Sequence, residues 1–217
     1  MIEFFAIVGA AALCGMTLAI ANFPAAVRCI QAEATHGQAK GSLPVILAIA
    51  AAHGIWALPA LLIVTGTALT HSPPAWVLRL AAAGILLQVM LGLFQSTPVK
   101  RLRLDGPDAD PATLRERTWR LALAQPFRFP TLLAVFLAVG MADFEPSPLA
   151  LLPACLAVAC TTAAWLWFLA LVARRYADSI PESVSLDSLN KLRRISILIH
   201  AVFLGIASVG ALAGLLP

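Results

Sequence analysis

The chain has 217 residues, 60% of them hydrophobic and 12% charged, with a formal net charge of +4. Soluble chains run at about 45 to 50% apolar and about 25% charged, so the composition excludes an ordinary water-soluble domain. The Lys and Arg residues sit mainly between apolar runs, which points to membrane orientation rather than to nucleic acid as the reason for the basic balance.

Runs free of Asp, Glu, Lys and Arg cover 4–27, 41–78, 80–99, 129–142, 146–173 and 195–217. The fourth reaches spanning length when extended back across Arg128. A helix needs roughly 20 apolar residues to cross the hydrocarbon core. The runs are continuous rather than alternating, so helices are expected and a barrel is not. The expected fold is an all-α polytopic membrane protein of about six spans, near 3–30, 43–70, 76–96, 119–141, 148–174 and 192–215. Too little chain remains for a separate soluble domain.

Span 1 follows Met1-Ile2-Glu3, which carries no basic n-region, and no small-residue cleavage site follows a short apolar core. The first apolar run is therefore expected to stay in the protein rather than be removed as a signal peptide. Ala11, Gly15 and Ala19 recur every four residues and offer a face for close helix packing. Span 1 also contains Asn22-Phe23-Pro24. Proline removes a backbone donor and clashes with the preceding turn. Asn22 suits the N-cap of a helix that resumes with Pro24 in its first turn.

Span 2 holds His53, with Trp56 one turn on and Pro59 beyond. His53 and His200 in span 6 can carry a proton, bind a carboxylate or serve as hydrogen-bond partners between helices. After span 3, the segment 97–118 contains Asp105-Gly106-Pro107-Asp108 and Asp110-Pro111 and reads as a turn-rich cytoplasmic linker. It divides one membrane domain, 1–217, into repeats of three spans each, 1–96 and 119–217. With an odd number of spans per half, the second enters the membrane from the opposite side, which is the arithmetic of an inverted repeat.

Span 4 contains Gln125-Pro126-Phe127-Arg128-Phe129-Pro130, so each half places a polar-Phe-Pro triplet in its first span. Spans 1 and 4 are expected to be broken at these prolines. Paired interruptions in corresponding spans point to a transporter's substrate site, although a proline can also simply bend a membrane helix. Arg128 is the one basic residue well inside an expected span, and a charge at the bilayer centre costs on the order of 2.5 to 3.5 kcal/mol. It either holds an anionic group of a substrate, or snorkels to the cytoplasmic face or caps carbonyls freed by Pro126 and Pro130. The candidate substrate-binding residues are Asn22, Phe23, Pro24, His53, Gln125, Arg128 and Pro130.

Gln88, Gln95, Gln125, Thr161 and Thr162 read as contacts between helices or as cavity lining, and no carboxylate sits at the centre of a span. Glu33 falls near the cytoplasmic end of span 1, so no evident proton relay is found and the coupling ion stays open. Cys14, Cys29, Cys155 and Cys160 have no metal-binding spacing and read as small buried residues. No metal or other cofactor is expected. The sequence contains no phosphate loop, nucleophile elbow or paired carboxylates, so an enzyme is not expected either.

Thirteen of the 15 Lys and Arg flank or fill the first, third and fifth connections. The positive-inside rule then places those connections in the cytoplasm and both termini outside.

The order of these features resembles the lysine exporter superfamily of bacterial amino-acid translocators. The matching stretches are Gly15-Met16-Thr17 through Asn22-Phe23-Pro24, then Arg28, then the basic, glycine-bearing Gly37-Gln38-Ala39-Lys40-Gly41. Leu91-Gly92-Leu93 precedes the charged linker, and Gln125-Pro126 or Phe129-Pro130 stands where the family has Asn-Pro. Trp165 and Trp167, Arg174-Arg175, Lys191 to Arg194 and Leu204-Gly205 follow in a similar order. The family's Pro-Gly-Pro is Asn-Phe-Pro here. The resemblance implies a multi-pass protein of the bacterial cytoplasmic (inner) membrane, with Pro24 and a span 4 proline in a central site between the repeats. It also implies export of an amino acid or similar small zwitterionic or anionic metabolite by alternating access. Arg128 would face the substrate carboxylate and Asn22 the amine. The partners expected are that solute and the lipid bilayer, with no nucleic acid, and a homo-oligomer is left open. A membrane scaffold or accessory subunit is the alternative, and a metal-ion exporter is disfavoured by the lack of central carboxylates.

Overall fold

The computed structural model describes residues 2–64, 75–95, 128–138 and 148–175. It also describes short stretches at 116, 118–120, 123, 190–191, 194–195, 197–198, 201–202, 205–206 and 209. Among the described residues every position but Asn22 is helical, and there is no strand. The elements are α1 (Ile2–Ala21), α2 (Phe23–Gly37), a π-helical turn (Gln38–Ser42), α3 (Leu43–Val64), α4 (Ala75–Gln95), α5 (Arg128–Ala138) and α6 (Pro148–Arg175).

The helix boundaries follow local chemistry. Asn22 interrupts the helical run from Ile2 to Gly37 for one residue, and Pro24 is the second residue of the helix that resumes, where its missing N–H costs nothing. Pro44 occupies the same place in α3. The first connection, expected from about residue 31, is instead helical as far as Gly37, because Ala32, Glu33 and Ala34 are good helix formers and a polar surface does not end a helix. Gly37 ends it with a φ of 69°, a left-handed conformation that glycine adopts without a Cβ penalty. The π-helical turn then leads directly into α3.

α6 packs along α1, α2 and α3, and α5 packs on α3 and α4. One buried cluster joins Ile7, Ala11 and Cys14 of α1 and Leu61 of α3 to Leu132 and Phe136 of α5 and Val158 of α6. Helices from before residue 97 and after residue 118 thus share a core. A second cluster joins Ala25, Cys29 and Ala32 of α2, Val45 and Ile46 of α3, and Leu166 of α6.

Two helical stretches, Lys40–Val64 and Leu149–Arg175, are long and apolar enough to cross a membrane, each with a mean hydropathy of 2.1. At 25 and 27 residues they reach about 37 and 40 Å at 1.5 Å per residue, beyond the roughly 30 Å of hydrocarbon. Phe4–Ile20 is a shorter apolar helix. The outward faces are apolar as well: Leu149, Leu152 and Leu156 stand 82%, 66% and 55% exposed on one side of α6, and Leu47, Ile55, Leu58 and Leu62 form a similar row on α3. Such rows cost nothing on a surface that faces lipid.

Candidate functional site

The interruption at Asn22 is built by its own backbone and side chain. Its N–H donates to the Leu18 carbonyl (3.0 Å), so Asn22 closes α1. Its carbonyl accepts from Ala25 and Ala26 (3.0 and 3.1 Å), and its Oδ1 accepts from the Ala25 N–H (3.3 Å), so it also caps α2. The N-cap expected for Asn22 is therefore present. One turn before the break, the Thr17 hydroxyl donates to the Leu13 carbonyl (2.8 Å), a back-bond that bends helices. Phe23 and Pro24 are the first two residues of α2, which places the positive end of that helix at the break.

His53 lies on α3, 3% exposed, with Nδ1 3.0 Å from the Thr162 hydroxyl of α6. The same hydroxyl donates to the Gly15 carbonyl of α1 (3.3 Å). A hydroxyl has one proton, and a carbonyl can only accept, so His53 carries its proton on Nδ1 and donates to Thr162. This polar link ties three helices from both halves at one level. It lies seven residues before Asn22 on α1, about 10 Å along the axis, so the structure sets His53 and the break on separate levels of the bundle.

The link is possible because glycine lets the helices meet. A Cβ on Gly15 would lie 2.5 Å from the Val158 carbonyl oxygen and 2.7 Å from the Val158 Cα, and closer still to Thr161 Oγ1. On Gly54 it would lie 3.2 Å from the Cys155 carbonyl oxygen and from the Ala159 Cβ. Ala11 and Ala19, on the same face of α1 as Gly15, are fully buried, as the four-residue stripe implies.

One turn beyond His53, Trp56 packs its ring on Phe129 of α5, with centroids 6.3 Å apart. Its Nε1 is buried without a hydrogen-bond partner. This contact brings α3 to the stretch Arg128-Phe129-Pro130 at the described start of α5. Pro130 is the third residue of α5, and Gln125 lies outside the described residues. His53 and the Arg128 stretch thus share one side of α3, whereas Asn22 lies beside α2.

Several polar expectations resolve differently. Thr162 bridges helices, but Thr161 bonds its own helix through the Ala157 and Val158 carbonyls (2.8 and 3.2 Å). Gln88 is exposed on α4. Cys14, Cys29 and Cys155 are buried as expected, but Cys160 is exposed. Five residues from Cys155 turn it about 140° around α6, onto the outer face. All four cysteines are free, and no group of metal-ligating side chains is found among the described residues.

Sequence reasoning put Glu33 near the cytoplasmic end of span 1 but missed its burial: it is 7% exposed and accepts a hydrogen bond from the fully buried Ser42 hydroxyl. The available signal was its spacing: Ala25, Cys29, Ala32 and Glu33 fall at i, i+4, i+7 and i+8, one face of a helix.

Thr162→Val keeps the shape of the side chain and removes the hydroxyl shared by His53 and Gly15. Thermal unfolding in detergent should show a loss of about 0.6 to 1.7 kcal/mol, the range of hydrogen bonds between membrane helices. A double-mutant cycle with His53→Ala should return a coupling of the same size; additive effects would remove the link.

No family model matches the chain, and no match to it is found among the curated proteins or the solved structures.

Proposed function

We propose that the chain is a cytoplasmic-membrane exporter of an amino acid or similar small zwitterionic or anionic metabolite, working by alternating access between two inverted three-helix repeats. The observation that carries this reading is the one-residue break at Asn22 inside an otherwise apolar span, with the N-terminus of α2 facing it. In lipid, irregular backbone is tolerated where it is buried in protein or lines a water-filled cavity.

The helix contacts support the repeat. α1, in the first span of one half, packs on α6, the second span of the other, while α5 reciprocally packs on α3. A two-fold relation between the halves predicts that exchange. His53 of one half meets Thr162 of the other, and Trp56 of the first packs on Phe129 of the second. On the resemblance of the sequence to the lysine exporter superfamily, the solute would be of that class, the direction outward, and Pro24 and a span 4 proline parts of the site.

The test is efflux from proteoliposomes loaded with a panel of labelled amino acids and organic acids, with and without a pH gradient. No efflux of any member would favour the rival reading, a membrane scaffold or accessory subunit. The observation on that side is the tight seam of Gly15 and Gly54 against α6, which resembles static packing.

Orientation has a separate expected result. With the first, third and fifth connections cytoplasmic, Ser72→Cys should react with an impermeant thiol reagent from outside intact cells and Ser183→Cys should be protected. The reverse pattern would overturn the topology. Each substitution belongs in a background where Cys160, which is exposed, has been replaced.

A further inference from the structure

We propose that Glu33 is the proton-binding carboxylate that couples solute movement to a pH gradient, held in place by Ser42; this rests on the transport reading. Among the described residues Glu33 is the one acidic side chain that is buried. An ionisable group inside a bundle of this kind is expensive, and such groups mark ion and proton pathways.

The seat for this carboxylate is built by the chain reversal. Gly37 takes the left-handed conformation, and the π-helical turn Gln38–Ser42 follows, returning Ser42 to face α2 one residue before α3 begins. π-helical turns are rare and occur often at functional sites. On the same helix as Glu33, Ala25, Cys29 and Ala32 belong to the buried apolar cluster that they form with Val45, Ile46 and Leu166.

The charged and titratable neighbours are few. On α2 itself, Arg28 is half-buried and the Cys29 thiol is near enough to feel the carboxylate, while its sulfur donates to the Leu166 carbonyl (3.4 Å). The side chain of His36 lies outside the described residues. On the π-helical turn, Lys40 is exposed. α3 contributes His53, three turns further along and bonded to Thr162, and α6 contributes Arg174 and Arg175, both exposed near its C-terminus. On α1 the nearest titratable group is Cys14, two turns before the break.

Ser42 suits both charge states. Ionised, Glu33 accepts the hydroxyl hydrogen; protonated, its own O–H can donate to the Ser42 oxygen. A permanently paired carboxylate would resist protonation, whereas a hydroxyl partner lets the proton bind and leave without stranding a buried polar atom. In the export cycle, a proton from the outer side binds the carboxylate and is released to the cytoplasm as solute moves out.

The test uses the full chain in proteoliposomes and a labelled mixture of the protein amino acids as probe. Wild-type protein should exchange label at equal pH and accumulate it against its gradient when a pH difference is imposed. Glu33→Gln, which preserves shape and the Ser42 contact, should keep exchange and lose the response to the pH difference. A response that survives in Glu33→Gln overturns the proposal, and so does loss of exchange together with it. Wild-type transport driven by sodium and indifferent to pH also overturns it, while leaving the transport reading in place. Wild-type protein with no exchange at all removes the transport reading itself. Ser42→Ala removes the one hydroxyl partner of the carboxylate, so accumulation driven by the pH difference should fall; an unchanged response ends the part assigned to Ser42.

Discussion

Replacing Gly15 by alanine is expected to force α1 away from α6 and lower the melting temperature of the purified protein in detergent. The added methyl would meet the Val158 carbonyl oxygen at 2.5 Å and the Val158 Cα at 2.7 Å, with Thr161 Oγ1 nearer still. Two of those three atoms are helical backbone, so no side-chain rotation relieves the clash. Overpacking of a fitted core costs about 1 to 3 kcal/mol, and the same displacement would stretch the Thr162 bond to the Gly15 carbonyl, already 3.3 Å. Gly54→Ala should do less harm, because its contacts at 3.2 Å ask the neighbours to give by tenths of an ångström. Gly9→Ala has nothing within 4 Å, so the gain in helix propensity, up to about 1 kcal/mol, should leave it neutral or stabilised. A melting series that places Gly15→Ala level with Gly9→Ala would show that the seam is looser than the structure makes it.

The sequence makes the helices and the seam legible for the same reason: both depend on residue size and polarity at fixed spacing. The Ala11, Gly15 and Ala19 stripe meets α6 because small side chains four apart are what a close crossing requires. Asn22 reads directly as a cap because an asparagine two residues before proline leaves the backbone few other choices. The length of α2 is less legible, since Arg28 and Glu33 suggest a polar connection while the backbone, rich in alanine, continues as a helix to Gly37. Burial of Glu33 depends on how the π-helical turn carries Ser42 back against α2, and no pattern within span 1 contains that information. The same holds for Thr162, whose partners His53 and Gly15 lie 109 and 147 residues away in the chain. The candidate residues also separate by level: the Trp56–Phe129 contact brings His53 and the Arg128 stretch to one side of α3, but Asn22 stands about two turns further along α1.

Arg128→Ala is expected to reduce solute efflux to background while the protein still accumulates in membranes at near-normal levels. The first half of this expectation follows from position. Arg128 immediately precedes Phe129, whose ring packs on Trp56, and Trp56 is one turn from His53. Arg128 is the first residue of α5, and the backbone N–H groups of a helix's first turn add to the attraction for an anion. Removing it takes away the group proposed to hold the substrate carboxylate, and truncating one partner of a buried charged pair costs about 2 to 5 kcal/mol, or roughly thirtyfold to several thousandfold in affinity. The second half follows from the cost of the charge: a basic residue at the bilayer centre is unfavourable by about 2.5 to 3.5 kcal/mol on insertion scales, so alanine relieves insertion rather than burdening it. The two measurements must therefore diverge, with efflux lost and membrane abundance kept. Arg128→Lys separates binding from simple charge. Lysine retains the positive charge but not the two-pronged geometry, so it should restore part of the efflux with a raised half-saturation concentration. Normal efflux from Arg128→Ala would end the assignment of Arg128 to the solute, and parallel loss of efflux and abundance would assign it to folding instead.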